Sequence, residues 1–230
     1  HFIRCRILPP TRLEVKEMLI LQDADLRLLP LSIDHFDALL QIAAECPDTW
    51  QYTPNSALGA ENMHSYIQTA LVQRAAGRHL PFVVEYQGRI VGSTRFYHID
   101  EHHKSVHIGY TWLHTDTRGS NVNKRTKYLL LQHAFEHWDM CRVAFTADIN
   151  NHASIRALES IGATQEGVLR SDMVLASGVR RNTAVFGILQ HEWRTRIKAM
   201  LAEKIAAGNL AETAPAPGLW QKIRRFLHKP

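Results

Sequence analysis

No stretch of the chain approaches the roughly 20 consecutive apolar residues that a membrane-spanning helix needs, although hydrophobic residues make up 45% of the 230. The N-terminal segment also lacks the uninterrupted apolar core of a secretory signal. Cysteine is scarce: Cys5, Cys46 and Cys141 are scattered and form no C-x-x-C pair. That odd, scattered set fits a reduced, cytoplasmic setting. The glycine signatures of nucleotide folds are missing too, since neither G-x-x-x-x-G-K-[ST] nor G-x-G-x-x-G occurs. No internal repeat is present.

The net charge is +5, but it sits at the ends. Residues 1–17 carry four Lys/Arg against two Asp/Glu, and residues 219–230 carry four Lys/Arg and no acid. The body is therefore +5 − 2 − 4 = −1. A near-neutral body argues against a nucleic-acid-binding core, which needs its basic patch on the fold itself. Residues 1–17 read as a leader or an added segment, and Met18 could be the natural start. Residues 18–208 read as one domain. Residues 209–218, "NLAETAPAPG", read as an Ala/Pro linker. The end, "LWQKIRRFLHKP", places Leu219, Trp220, Ile223, Phe226 and Leu227 opposite its cations, either as an interfacial helix or as a solubilising tail.

Between those ends the hydrophobic period alternates between two values. "DLRLLPL" (25–31) has the period of a half-buried strand, and 32–45 the period of a helix capped by Ser32. A loop rich in Pro, Asn and Asp leads to a second helix, 60–77. Two strands flank Gly88, and 105–114 would place Val106, Ile108, Tyr110 and Trp112 on one face. Leu130, Leu131, Ala134 and Phe135 stripe a helix over 122–138. Lys127 falls on that stripe, where its stem could pack while its charge stays wet. A strand (141–149), a short helix (151–162), two strands around Ser177-Gly178 and a last helix follow. A helix crossing over between two strands implies an α/β or α+β fold on one central sheet.

The junction "TRGSNVNKRTK" (117–127) is the most informative stretch. A helix start offers unpaired N–H groups and the positive end of a dipole, and so suits a phosphate. Arg118, Lys124, Arg125 and Lys127 add positive charge. An Asn-capped helix with a solvated basic first turn is the alternative on these residues alone. The runs "VGSTRFYHI", "HIGYTWL", "RGSNVNKRTKYLLLQHAFE", "CRVAFTADINNHASIRALESIGATQEGVLR" and "TAVFGILQHEW" together resemble, in this order, the GNAT superfamily of N-acetyltransferases, RimJ/RimL-type branch. The resemblance spans Asp25 to Trp193. It implies a single mixed, mostly antiparallel sheet flanked by helices, with its central strands splayed apart. It also implies that acetyl-CoA is the acyl donor.

By that resemblance the loop Arg118, Gly119, Ser120, Asn121, Val122 and Asn123 holds the pyrophosphate of acetyl-CoA. Asparagines replace the usual glycines there. Asn tolerates a left-handed backbone, and Asn121 or Asn123 could also touch phosphate directly. Backbone groups at Trp112 and Leu113 would bind the pantetheine arm between strands 105–114 and 141–149, and an N–H there would stabilise the oxyanion. Many relatives place a tyrosine acid where Leu158 stands. The run "NHAS" instead resembles the RimL branch, which implies Ser154 as general acid and Asn151 as a cofactor contact. An N-cap and a first-turn serine is the plain structural alternative.

The base is less defined: Asp172, Glu85 and His107 lie on strands near the expected cleft. Deprotonating an α-amine at pH 7 costs ~1.4 kcal/mol against ~4.6 for a lysine, so a site without a strong base suits an α-amine. Trp50, Tyr52, Arg95 and Phe96 could wall the acceptor pocket. The acceptor is then a small-molecule or peptide amine, and the family allows a homodimer. Two other classes remain. "HAFEH" (133–137) matches the inverted zinc-protease motif H-x-x-E-H, but no third ligand marks a metal site. A non-catalytic CoA-binding module with an altered pyrophosphate loop is the other.

Overall fold

A computed structural model describes residues 19–213, with side chains to Gly208. Segments 1–17 and 219–230, and residues 214–218 of the linker, lie outside the described residues. The chain enters through a hairpin of β1 (Leu21–Asp23) and β2 (Leu26–Pro30). β1 is absent from the sequence reading because three residues, Leu-Gln-Asp, cannot display a period. Helices α1 (Phe36–Glu45) and α2 (Ala60–Ala75) follow, joined by a loop that contains the 3-10 turn Pro47–Trp50. Next comes a meander of β3 (His79–Tyr86), β4 (Arg89–Asp100) and β5 (Ser105–Leu113). Helix α3 (Val122–Gln132) runs into a π-helical turn, His133–His137. It crosses to β6 (Arg142–Asp148), which leads to α4 (His152–Ser160), β7 (Thr164–Val174) and β8 (Arg180–Leu189). The described chain ends with α5 (Gln190–Glu192), a second π turn (Trp193–Ile197) and α6 (Lys198–Thr213). α6 continues five residues past the domain boundary expected at 208.

All eight strands form one sheet in the order β1-β2-β3-β4-β5-β6-β8-β7. Only β5 and β6 run parallel, as the α3 crossover between them requires. Their pairing stops after three rungs, Ser105–Arg142, Val106–Val143 and His107–Ala144. Both strands continue beyond that point, so the sheet splits into a V on the side where β5 and β6 end.

Two apolar cores cover the sheet. On one face Leu130, Leu131, Phe135 and Trp193, from α3, its π turn and the last helical segment, pack on Phe82, Phe96, Ile108 and Phe145. On the other, Leu39 and Ile42 of α1 and Met63 and Ile67 of α2 pack on Val83 and Trp112. The pleat sorts neighbouring residues between the two cores. Phe96 therefore lies in the α3 core and not in an acceptor pocket, while Arg95 faces the α1/α2 side. The expected alternation along β5 fails at Tyr110. The β4–β5 register shifts between Ser93 and Arg95, and Tyr110 takes φ 51° and is 46% exposed. A bulge adds one residue and re-aims that side chain.

Candidate active site

The loop before α3 sits over the end of the V. Gly119 alone among Arg118–Asn123 has a positive φ, 81°. Asn121 is helical at φ −76°. The left-handed turn expected of the asparagines is thus supplied by the single glycine. Ser120 Oγ donates to the Thr117 carbonyl at 2.7 Å and accepts the Val122 amide at 3.2 Å, which fixes the turn. Arg118 reaches back to Thr49 Oγ1 at 3.0 Å and stays exposed. Lys124 is half-buried.

Three expectations about this loop need correcting. Asn121 is 4% exposed and its Nδ2 donates to the Ile205 carbonyl at 2.8 Å, so its side chain ties the loop to α6 rather than facing a phosphate. Arg125 is 5% exposed and its guanidinium is held by Asp23 Oδ2 at 2.9 Å, the Asp23 carbonyl at 2.6 Å and Asp25 Oδ1 at 2.8 Å. It clamps the β1–β2 turn. Lys127 is 5% exposed, not wet, and donates to Thr111 Oγ1 at 2.6 Å. Burial pushes its ammonium down to about 7. What the helix start leaves free to face an anion is its first-turn amides, Arg118 and Lys124.

Trp112 and Leu113 lie at the end of β5, past the last rung shared with β6. The Trp112 ring turns into the α2 core, where its Nε1 donates to Tyr66 Oη at 3.1 Å, leaving only backbone to face the V. A side chain at Gly92 would collide with the Trp112 carbonyl at 2.1 Å, so glycine keeps β4 close to this segment. Across the V, Asn151 caps α4: its Oδ1 accepts the Ser154 amide at 3.0 Å. The cap contact uses the Ser154 backbone, and the half-buried hydroxyl is not part of it.

A cavity of about 330 Å³ is lined by Trp50, Gln51, Tyr52, Asp148, Asn150, Leu175, Ser177 and Val179. Its walls are tied together, because the Ala176 amide donates to the Thr53 carbonyl at 3.2 Å and Arg181 Nη1 to the Tyr52 carbonyl at 3.3 Å. Trp50 is also a core plug, edge-on to Tyr66 and Trp112. Asp172 is exposed on β7, within electrostatic reach of Arg181. Glu85 lies elsewhere, on β3 two strands from β5, paired with Arg27 of β2 at 2.7 Å. His107 belongs to an aromatic cluster with Tyr97 and His98, and burial holds its imidazole down to about 4.

Asp148 and Arg181 escaped the sequence reading. The one signal for Asp148 was a carboxylate ending the apolar run "VAFTAD"; it is 2% exposed. In the zinc-like motif, Glu136 accepts from Trp193 Nε1 at 2.8 Å and pairs with Lys198 at 2.8 Å. Among the described residues no group of three or more His, Cys, Asp or Glu is placed to hold a metal.

The model of the acetyltransferase (GNAT) domain family matches residues 25–164, well over half of the chain. The chain belongs to the GNAT family. It is an acetyl-CoA-dependent N-acetyltransferase on that membership. No curated protein matches it. Among solved structures, a T. thermophilus chain assigned to the acetyltransferases is 29% identical, with a TM-score of 0.74 over 81% of this chain and 96% of that one. A GCN5-related N-acetyltransferase from Brucella melitensis is 25% identical, with a TM-score of 0.71 over 81% and 85%. Mycobacterium smegmatis RimJ, in complex with CoA-disulfide, shares the fold at 20% identity and a TM-score of 0.69, covering 78% of this chain and 88% of its own. No helix among the described residues of this GNAT chain is long and apolar enough to cross a membrane.

Proposed function

We propose that the protein is a RimJ/RimL-like acetyltransferase that moves acetyl from acetyl-CoA to a primary amine by direct attack in a ternary complex. The acceptor is a protein N-terminal amine or a small-molecule amine. The separation of β5 from β6 after His107–Ala144, with an amide-rich helix start at its mouth, carries this reading. The pyrophosphate settles on the loop Arg118–Asn123, which heads α3 on one face of the sheet. The pantetheine arm threads the V, and the thioester meets the acceptor on the opposite, α1/α2 face. Trp50, Tyr52 and Arg95 shape that pocket.

In the chemical step the amine nitrogen bonds to the thioester carbon, and an N–H at Trp112–Leu113 holds the oxyanion. Collapse breaks the C–S bond. The thiolate takes a proton from the Ser154 hydroxyl, which recovers one from solvent water, with Asn151 beside it. The surplus proton of the nitrogen leaves toward water and the carboxylate side of the pocket, Asp172 included. The open edge of β7, with Val168 at 44% and Leu169 at 51% exposure, supports a homodimer. The test is release of free CoA thiol from acetyl-CoA across N-terminal peptides, amino acids, polyamines and aminoglycosides. Turnover with at least one class is expected. Tight CoA binding without turnover on any amine would leave a non-catalytic CoA-binding module instead.

A further inference from the structure

On the α1/α2 side of the sheet, level with the opening of the V, β4 holds a charge that no described residue pairs with. Arg95, in the middle of β4, is 2% exposed. Its Nε and Nη2 have no hydrogen-bond partner, and no carboxylate among the described residues pairs with it. The guanidinium is instead clasped between two rings, Tyr66 at 4.7 Å and Tyr110 at 4.0 Å. Cation–π contact of this kind offsets only part of the desolvation of a buried charge. His79, beside it, is held down to about 4 by burial first and by the charge of Arg95 second.

Arg95 pairs in register with Gly109, two residues beyond the last rung shared by β5 and β6, so it lies level with the opening of the V. The ring contacts run on from it toward the cavity: Tyr110 meets Tyr97 at 5.3 Å, and Tyr97 lies within electrostatic reach of Arg181, which touches Tyr52. Arg181 has Asp148 and Asp172 nearby. Nε and Nη2 form one edge of the guanidinium, the two-donor fork that fits a carboxylate bidentately.

We infer that the acceptor amine carries a carboxylate, and that Arg95 holds it on the α1/α2 face of the V. Tyr110 re-aims to admit it. Its ring covers the guanidinium while the residue keeps 46% of its surface in solvent, placed there by the bulge. The inference rests on the acetyl-transfer reading of this cleft.

Two readouts test it. First, N-acetylated amino acids with free and with amidated carboxylates are added to the enzyme with CoA, and thermal unfolding is followed. The free acids raise Tm and the amides do not, and Arg95→Met abolishes the difference. Equal shifts for both, or none for either, overturn the inference whether or not turnover is seen. Second, kcat/KM is compared for amino acids against their amides, and for peptides bearing Asp or Glu in the first two positions against Asn or Gln. A preference of tenfold or more for the carboxylate is expected in one of these series, which tells a free amino acid from an acidic peptide. It falls to about one in Arg95→Met. Turnover of all amines without regard to the carboxylate contradicts this inference while leaving the acetyl-transfer reading intact. A merely structural Arg95 would lower Tm when replaced. An unanswered buried charge predicts that the ligand-free Arg95→Met protein melts no lower than the parent.

Discussion

The Lys127 ammonium donates to Thr111 Oγ1 at 2.6 Å, and Thr111 Oγ1 lies 2.8 Å from Thr94 Oγ1. These three residues form a short polar chain under the splayed end of β5, with the Phe145 ring 6.0 Å from the ammonium. Burial lowers the Lys127 pKa from 10.5 to about 7. Between those values the unfolded chain holds a proton that the folded one has lost, so stability rises with pH across that window. Below about pH 7 both states are protonated and the penalty is present in full.

Replacing Lys127 by Met removes that penalty, on the order of a few kcal/mol at neutral pH by linkage. Urea denaturation of both proteins from pH 6 to pH 10 checks it. The parent should gain stability relative to Lys127→Met as the pH rises. Parallel curves would mean that the ammonium is solvated.

Asn121→Ala separates two roles at the loop. As a tie, Asn121 donates to the Ile205 carbonyl from a buried position, and its loss cuts that link between the loop and α6. A loss of about 1–3 kcal/mol in stability is expected, with CoA affinity moving less. A large loss of CoA affinity with unchanged stability would instead put the side chain on the phosphate.

Ser154→Ala leaves the α4 cap in place, because Asn151 Oδ1 accepts the Ser154 backbone amide. Tm should therefore hold. Acetyl-CoA turnover should fall by one to two orders of magnitude if the hydroxyl delivers the proton. Asn151→Ala should do the reverse on stability, costing about 1 kcal/mol. Unchanged kcat in Ser154→Ala removes the acid assignment.

Local pattern made much of this fold legible. The stripe Leu130, Leu131, Ala134 and Phe135 predicts the crossover helix, and that helix forces the one parallel pair. What escaped was set by distant partners. Arg125 looked like an anion-binding cation because the carboxylates that hold it, Asp23 and Asp25, lie 102 and 100 residues away. Lys127 looked amphipathic because nothing local says that the sheet will close over it. Tyr110 fit a period of two that a bulge interrupts. Arg95 stood out as a cation in a strand, yet only the packed rings of Tyr66 and Tyr110 show that it is buried and unpaired. Asp148 gave one faint sign, and Arg181, next to Arg180 in a polar turn, gave none.

The most direct test of the account is an experimental structure with CoA bound. The account predicts the diphosphate on the amides of residues 119–124 beside Arg118, and the pantetheine arm between β5 and β6 beyond the His107–Ala144 rung. CoA bound elsewhere, or β5 and β6 hydrogen-bonded along their whole length, would contradict it.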